Sequence, residues 1–124
     1  MVISPNTNIA VIAATVSAGM ASLPGYFTPS EAFAALDAGA TALKLFPAEA
    51  ATPAVLKAQR AVLPKQLPVL AVGGITPATM TPWLAAGANG FGLGSALYRP
   101  GASAADVGAA ARDFVAAWRD SANS

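Results

Sequence analysis

Neither cysteine nor histidine occurs anywhere in the 124 residues. The first absence excludes disulfides, a thiol nucleophile and a thiolate metal site. The second removes the usual general base near neutral pH and the commonest metal ligand. Charge is scarce as well: charged residues make up 10% of the chain and the net charge is +1. There is no basic patch suited to nucleic acid and no acidic run of the disordered kind. A membrane span is lacking too. The apolar stretch 9–18 is interrupted by Thr15 and Ser17 and stops at Gly19, whereas a span needs about 20 apolar residues. That stretch also lacks the positive flank of a secretory signal, because the first basic residue of the chain is Lys44. A cytoplasmic protein is expected, with its chemistry confined to Lys, Arg, Asp, Glu, Ser, Thr or Tyr. What is abundant is apolar surface, 55% of residues, much of it Ala. That supports a core of small side chains in a single domain, 1–124.

The most unusual residue is Lys44, set in the apolar run Ala42-Leu43-Lys44-Leu45-Phe46-Pro47-Ala48-Glu49. Strand side chains alternate faces, so Leu43 and Leu45 share one face and Lys44 and Phe46 the other. Leu43 and Leu45 suit packing against helices. Lys44 is then held beside an aromatic ring, away from bulk water. Desolvation disfavours the ammonium and lowers a lysine pKa, and a neutral amine attacks carbonyls to form Schiff bases. The alternative is a lysine that snorkels its head to the strand end or pairs with a carboxylate.

Along the chain, apolar strands and helices alternate. Strands are expected over about 1–4, 21–24, 42–46, 67–72 and 90–94. Helices are expected over about 8–18, 28–38, 52–63, 76–86 and 103–122, with a helical turn at 95–98. Thr-Pro opens three of the helices, at Thr28, Thr52 and Thr76, with Thr as cap and Pro at the first helical position. Thr28 and Glu31 have the spacing of a capping box. Ala-Gly ends three helices, at Gly19, Gly39 and Gly87. The buried stripes expected are Ile9, Ile12, Val16 and Met20 in the first helix, Phe33 and Leu36 in the second, and Val107, Ala111, Phe114, Val115 and Trp118 in the last. Strand–helix alternation without a hairpin signal gives right-handed βαβ units and a parallel sheet. An open doubly wound sheet and part of a (β/α)8 barrel both fit. Short strands, Ala-rich helices and unusual residues at the C-terminal strand ends favour the barrel. The fold class expected is therefore α/β, a partial TIM barrel of about five βα units.

Two glycine clusters follow consecutive strands: Gly73-Gly74, and Gly92-Leu93-Gly94-Ser95. Glycines there let backbone N–H groups approach an anion, and Ser95 could cap the following turn. The loops after the last two strands of such barrels are a common phosphate site. Tight turns and close helix packing would also account for either cluster alone. Arg99 is the one basic residue near this position; it is a candidate ligand, but the preferred reading is an ordinary surface arginine. Trp83 and Trp118 read as helix-face packing, and Arg112, Asp113, Arg119 and Asp120 as the solvated face of the last helix.

Three segments taken together, Leu43–Glu49, Ala71-Val72-Gly73-Gly74-Ile75-Thr76-Pro77 and Gly92-Leu93-Gly94-Ser95-Ala96-Leu97-Tyr98, resemble the class I KDPG/KHG aldolases. Ile3-Ser4-Pro5-Asn6, Leu23-Pro24-Gly25 and Thr28-x-x-Glu31-Ala32-Phe33 extend the resemblance over nearly the whole chain. It implies that Lys44 is the Schiff-base lysine for pyruvate. It also implies that Gly73, Gly74, Gly94 and Ser95 bind phosphate, and that Phe46 and Pro24 line the pocket. The reaction implied is reversible cleavage of 2-dehydro-3-deoxy-6-phosphogalactonate, or its gluconate epimer, to pyruvate and glyceraldehyde 3-phosphate. The iminium is the electron sink, so no cofactor and no metal are expected. The partners implied are the phosphorylated keto sugar acid, pyruvate and further copies of the chain in a homo-oligomer, a trimer in the family's pattern, with no nucleic acid and no membrane. Family members begin with about three further βα units, given eight in a barrel. Those units carry the proton-shuttling Glu, a substrate-binding Arg and a Thr. Glu49 and Glu31 are poor substitutes for that Glu, since Glu49 lies past the strand and Glu31 is taken up in its capping box. Two other readings stand beside the aldolase: a phosphate-binding barrel in which Lys44 is structural, and a non-catalytic fragment that associates with itself or with a missing half.

Overall fold

The computed structural model describes residues 1–122. Six short strands and five helices alternate: β1 Val2–Ile3, α1 Ile9–Ser17, β2 Ser22–Leu23, β3 Gly25–Tyr26, α2 Pro29–Asp37, β4 Leu43–Leu45, α3 Pro53–Arg60, β5 Val69–Val72, α4 Met80–Ala85, β6 Gly90–Gly92 and α5 Ala104–Ala122. Single 3-10 turns stand before α3 (Ala48–Ala50) and α4 (Pro77–Thr79). β2 and β3 are one strand path broken at Pro24, which has no N–H for a ladder. β2 pairs with β1 and β3 with β4. Every pairing is parallel, in the order β1-β2 and β3-β4-β5-β6. Neighbours in sequence are therefore neighbours in the sheet. A doubly wound sheet reverses its strand order near the middle, so the arrangement is an arc of a (β/α) barrel with five βα units, as the alternation predicts. β1 and β6 are the edges of the arc.

The helix boundaries follow local chemistry. Thr28 accepts from Glu31 N–H while the Glu31 carboxylate accepts from Thr28 N–H, a complete capping box. Thr52 accepts from Val55 N–H at the start of α3. At Thr76 the reciprocal partner is Thr79, and one 3-10 turn precedes α4. α1, α2 and α4 end on the same device. Gly19, Gly39 and Gly87 have φ of 67°, 94° and 99°, and the next residue's N–H returns to Thr15, Ala35 and Trp83 carbonyls. These are Schellman ends, in which glycine takes the left-handed conformation that other residues resist.

The core lies between the convex side of the arc and the helices. Leu43, Leu45, Val69 and Ala71 are fully buried there, with Ile12, Ala32, Ala35 and Leu56. The helical stripes differ from the sequence expectation. In α1, Ile9 and Val16 are 47% and 42% exposed, as is Met20 just beyond the helix at 42%, and Ile12 and Thr15 are buried. In α2, Phe33 is 42% exposed and Leu36 is half-buried, while Ala32 and Ala35 meet the sheet. In α5, Phe114 is buried, Val115 is exposed, and Trp118 sits edge-on to Phe91 with ring centroids 6.2 Å apart. Small residues at the contact let a helix lie close to the strands, which turns the large side chains outward. The predicted helical turn at 95–98 is one hydrogen-bonded turn outside any helix. A buried polar pair joins α3 to the sheet. Tyr26 donates to Gln59 Oε1 (2.9 Å) and Gln59 Nε2 donates to Phe27 O (2.9 Å). Burial pushes the Tyr26 hydroxyl up to about 12.

Candidate active site

The concave side of the arc is open, and its side chains are only partly covered. Alternation places Lys44, Leu70 and Val72 there, each half-buried, opposite the fully buried Leu43, Leu45, Val69 and Ala71. A cavity of about 540 Å³ occupies this side toward the C-terminal strand ends, within the usual size range for small-molecule sites. Lys44 and Phe46 line it from β4 and the segment after it. Gly73 and Gly74 follow β5 on its wall, and Gly94 and Ser95 follow β6. Six of the seven site residues read from sequence thus share one cavity. The seventh, Pro24, is not on its wall. It is fully buried at the break between β2 and β3, and its carbonyl accepts the Lys44 N–H at 3.0 Å. Its contribution is to hold the Lys44 strand in register.

Lys44 pairs with Gly25 on one side and Leu70 on the other, so its backbone is fixed by both neighbours. The amine lies 4.7 Å from the centre of the Phe46 ring. The ring face favours the ammonium. Desolvation works against that and holds the Lys44 pKa below the usual lysine value. The Phe46–Pro47 peptide that follows is cis.

The glycine end of the cavity is shaped by its backbone. Gly73 and Gly74 have φ of 114° and 66°, a turn closed to ordinary side chains. A Cβ on Gly74 would stand 2.9 Å from Glu49 Oε2, and one on Gly92 would stand 2.7 Å from Val72 Cγ2. Gly94, in contrast, faces open space. Glu49 and Arg99 also border the cavity. Sequence placed Glu49 past the strand, and it does lie in the 3-10 turn after β4, but that turn bends its carboxylate back beside Gly73-Gly74. Proximity in sequence to Lys44 was its only signal. Glu31 lies away from the cavity. Its carboxylate accepts from Phe27 and Thr28 N–H, both at 2.8 Å, and these bonds hold its pKa below the usual value. Among the described residues no group of three acidic side chains is placed to hold a metal ion, and no helix is long and apolar enough to cross a membrane.

The chain is similar to known proteins along nearly its whole length. The chain is 47% identical over 120 residues to 2-dehydro-3-deoxy-6-phosphogalactonate aldolase of Escherichia coli (strain K12), covering 97% of this chain and 58% of that one. The solved native KDPGal structure superposes with a TM-score of 0.97 at 46% identity, over 98% of this chain and 59% of that one. A cube-shaped, highly porous protein cage designed by fusing symmetric oligomeric domains matches with a TM-score of 0.95 at 46% identity, over 98% of this chain and 45% of that one. The chain thus spans under three fifths of the length of these relatives, and its arc keeps the curvature of the corresponding part of their structures. The sequence model for KDPG and KHG aldolase matches residues 1–110, which takes in Lys44 and both glycine clusters, and the chain belongs to that aldolase family.

Proposed function

We propose that this chain carries the Schiff-base and phosphate portion of a class I aldolase that cleaves 2-dehydro-3-deoxy-6-phosphogalactonate, or its gluconate epimer, to pyruvate and glyceraldehyde 3-phosphate. The observation that carries this reading is a half-buried lysine with a lowered pKa in the same cavity as the Gly73-Gly74 and Gly94-Ser95 backbones. The neutral Lys44 amine adds to the C2 ketone, and loss of water gives an iminium. The C4 hydroxyl yields its proton to a base as the C3–C4 bond breaks, and its electron pair moves to the iminium nitrogen. The aldehyde leaves with the phosphate. Protonation at C3 and hydrolysis then release pyruvate and restore the amine. Gly73, Gly74, Gly94 and Ser95 hold the phosphate, Phe46 flanks the amine, and Pro24 supports the strand.

The base is the weak point. Glu31 is bound into its capping box, and Glu49 borders the glycine end of the cavity. By resemblance the proton-carrying Glu belongs to units outside these 124 residues. A positioned general base is worth about 10²- to 10⁴-fold in rate, so these residues alone turn over slowly. The same openness favours the second reading, a phosphate-binding fragment without catalysis that associates with itself or with a missing half. We take the chain to act in the cytoplasm, without nucleic acid or membrane, as a homo-oligomer of the family's trimeric kind.

Borohydride reduction in the presence of pyruvate tests the first reading. Covalent pyruvate on the peptide containing Lys44, absent in Lys44→Ala, is the expected result, with slow pyruvate release in an aldol-cleavage assay coupled to lactate dehydrogenase. No adduct at any pH up to 9 would remove the aldolase reading and leave the second.

A further inference from the structure

The glycine end of the cavity lacks the device that sequence suggests for it. Residues 95–98 form a single turn in which Leu97 and Tyr98 N–H both donate to Gly94 O, at 2.9 and 3.0 Å. No helix begins there, so no helix dipole meets a dianion. The glycine N–H groups supply partial charges only. Two cations line the cavity. Lys44 is the amine of the proposed chemistry, which leaves Arg99.

Arg99 is positioned for that task. Its Nε–H donates to the Ser95 carbonyl at 3.0 Å, which folds the side chain back over the turn bearing Gly94 and Ser95. Guanidinium has four further N–H donors on its two terminal nitrogens, and among the described residues none holds them. The other arginines are placed elsewhere. Arg60 is bonded to the carbonyls of Leu67 and Lys65, and Arg112 and Arg119 lie on α5.

We propose that Arg99 anchors and selects the phosphate, its guanidinium braced by Ser95 O and neutralising a phosphomonoester seated against Gly73-Gly74 and Gly94-Ser95. The proposal rests on the phosphate part of the reading above and is independent of the chemistry at Lys44. It makes Arg99 a specificity determinant: phosphorylated three-carbon aldehydes bind and their unphosphorylated counterparts do not gain from it. Lysine cannot take its place fully, because only arginine can brace one nitrogen on the carbonyl and present a planar fork to the ligand.

Calorimetric titration with inorganic phosphate, glyceraldehyde 3-phosphate and glyceraldehyde tests this on the parent chain, Arg99→Met, Arg99→Lys and the α5 control Arg112→Met. The expected result is about a tenfold loss of phosphate and phosphoaldehyde affinity in Arg99→Met. Arg99→Lys should be intermediate, and Arg112→Met should match the parent. The salt dependence of binding should be shallower in Arg99→Met than in the parent. Parent-like phosphate affinity in Arg99→Met overturns the proposal, as does absence of phosphate binding by the parent or an equal loss in Arg112→Met. Pyruvate–borohydride labelling of the same samples separates the two readings. Labelling with Arg99-independent phosphate binding removes Arg99 and keeps the aldolase. Arg99-dependent binding without labelling keeps Arg99 and removes the aldolase.

Discussion

Alanine at Gly74 tests whether the backbone turn, rather than any side chain, shapes the phosphate end. Gly74 has φ +66°, where an L-residue costs about 1–2 kcal/mol. Its new Cβ would also lie 2.9 Å from Glu49 Oε2 and 3.0 Å from Glu49 Cβ. The carboxylate tip can swing away, but the Glu49 Cβ moves only with the 48–50 turn. Crowding of this kind adds about 1–3 kcal/mol. The expected loss is thus about 2–4 kcal/mol, large against a domain stability of about 5–15 kcal/mol. Gly94 is the control, because its φ is not positive and a Cβ there meets nothing within 4 Å. Gly94→Ala should stay within about 0.5 kcal/mol of the parent. Urea unfolding followed by circular dichroism reads both. In a double-mutant cycle, Glu49→Ala should recover about 0.5–1 kcal/mol of the Gly74→Ala loss, since it removes the carboxylate contact and leaves the backbone cost. Equal stability of Gly74→Ala and Gly94→Ala, or full rescue by Glu49→Ala, would refute the reasoning.

Lys44→Met should stabilise the chain at neutral pH, because it removes a partly desolvated ammonium. The parent's folded pKa lies below the unfolded value of 10.5. Between the two the unfolded chain binds more protons, so parent stability rises with pH and the gap to Lys44→Met closes. Urea midpoints from pH 7 to 10 check this, and a gap that widens with pH would contradict it. Self-association follows from the exposed edges β1 and β6 and the half-covered concave face. Sedimentation of the isolated 124 residues should show species larger than a monomer, and a monodisperse monomer with a cooperative thermal transition would be evidence against it.

The sequence made some of this architecture legible and hid the rest for physical reasons. Lys44 could be placed because the two-residue period of a strand admits only two faces, and Leu43 and Leu45 claim the buried one. The Thr-Pro starts and Ala-Gly ends could be placed because capping depends on a few local bonds. The helical stripes could not. In α1 every position but Thr15 and Ser17 is apolar, so the 3.6-residue period carries little contrast, and in α2 contact went to the small Ala32 and Ala35 rather than to Phe33. The Tyr26–Gln59 pair was equally hidden, because its partners are 33 residues apart and neither side chain is unusual locally. Six cavity residues followed from strand-end position. Pro24 was displaced from the wall because the strand breaks there, and Arg99 entered it because the 95–98 turn folds back.

Strictly consecutive pairing makes the fold close to a one-dimensional array. Among the described residues each βα unit leans chiefly on the units before and after it, as in repeat proteins, where stability is a sum of unit and nearest-neighbour contributions. β4 and β5 have partners on both sides, whereas β1 and β6 have one each. Local opening should therefore run inward from the two ends, with amide protection greatest at Leu43–Leu45 and Val69–Val72. Lys44 sits in the last segment to open, while the 94–99 turn belongs to a terminal unit that frays early. Ligand held by both would tie an end of the array to its centre, so anion binding should raise the protection of β6 more than that of β4.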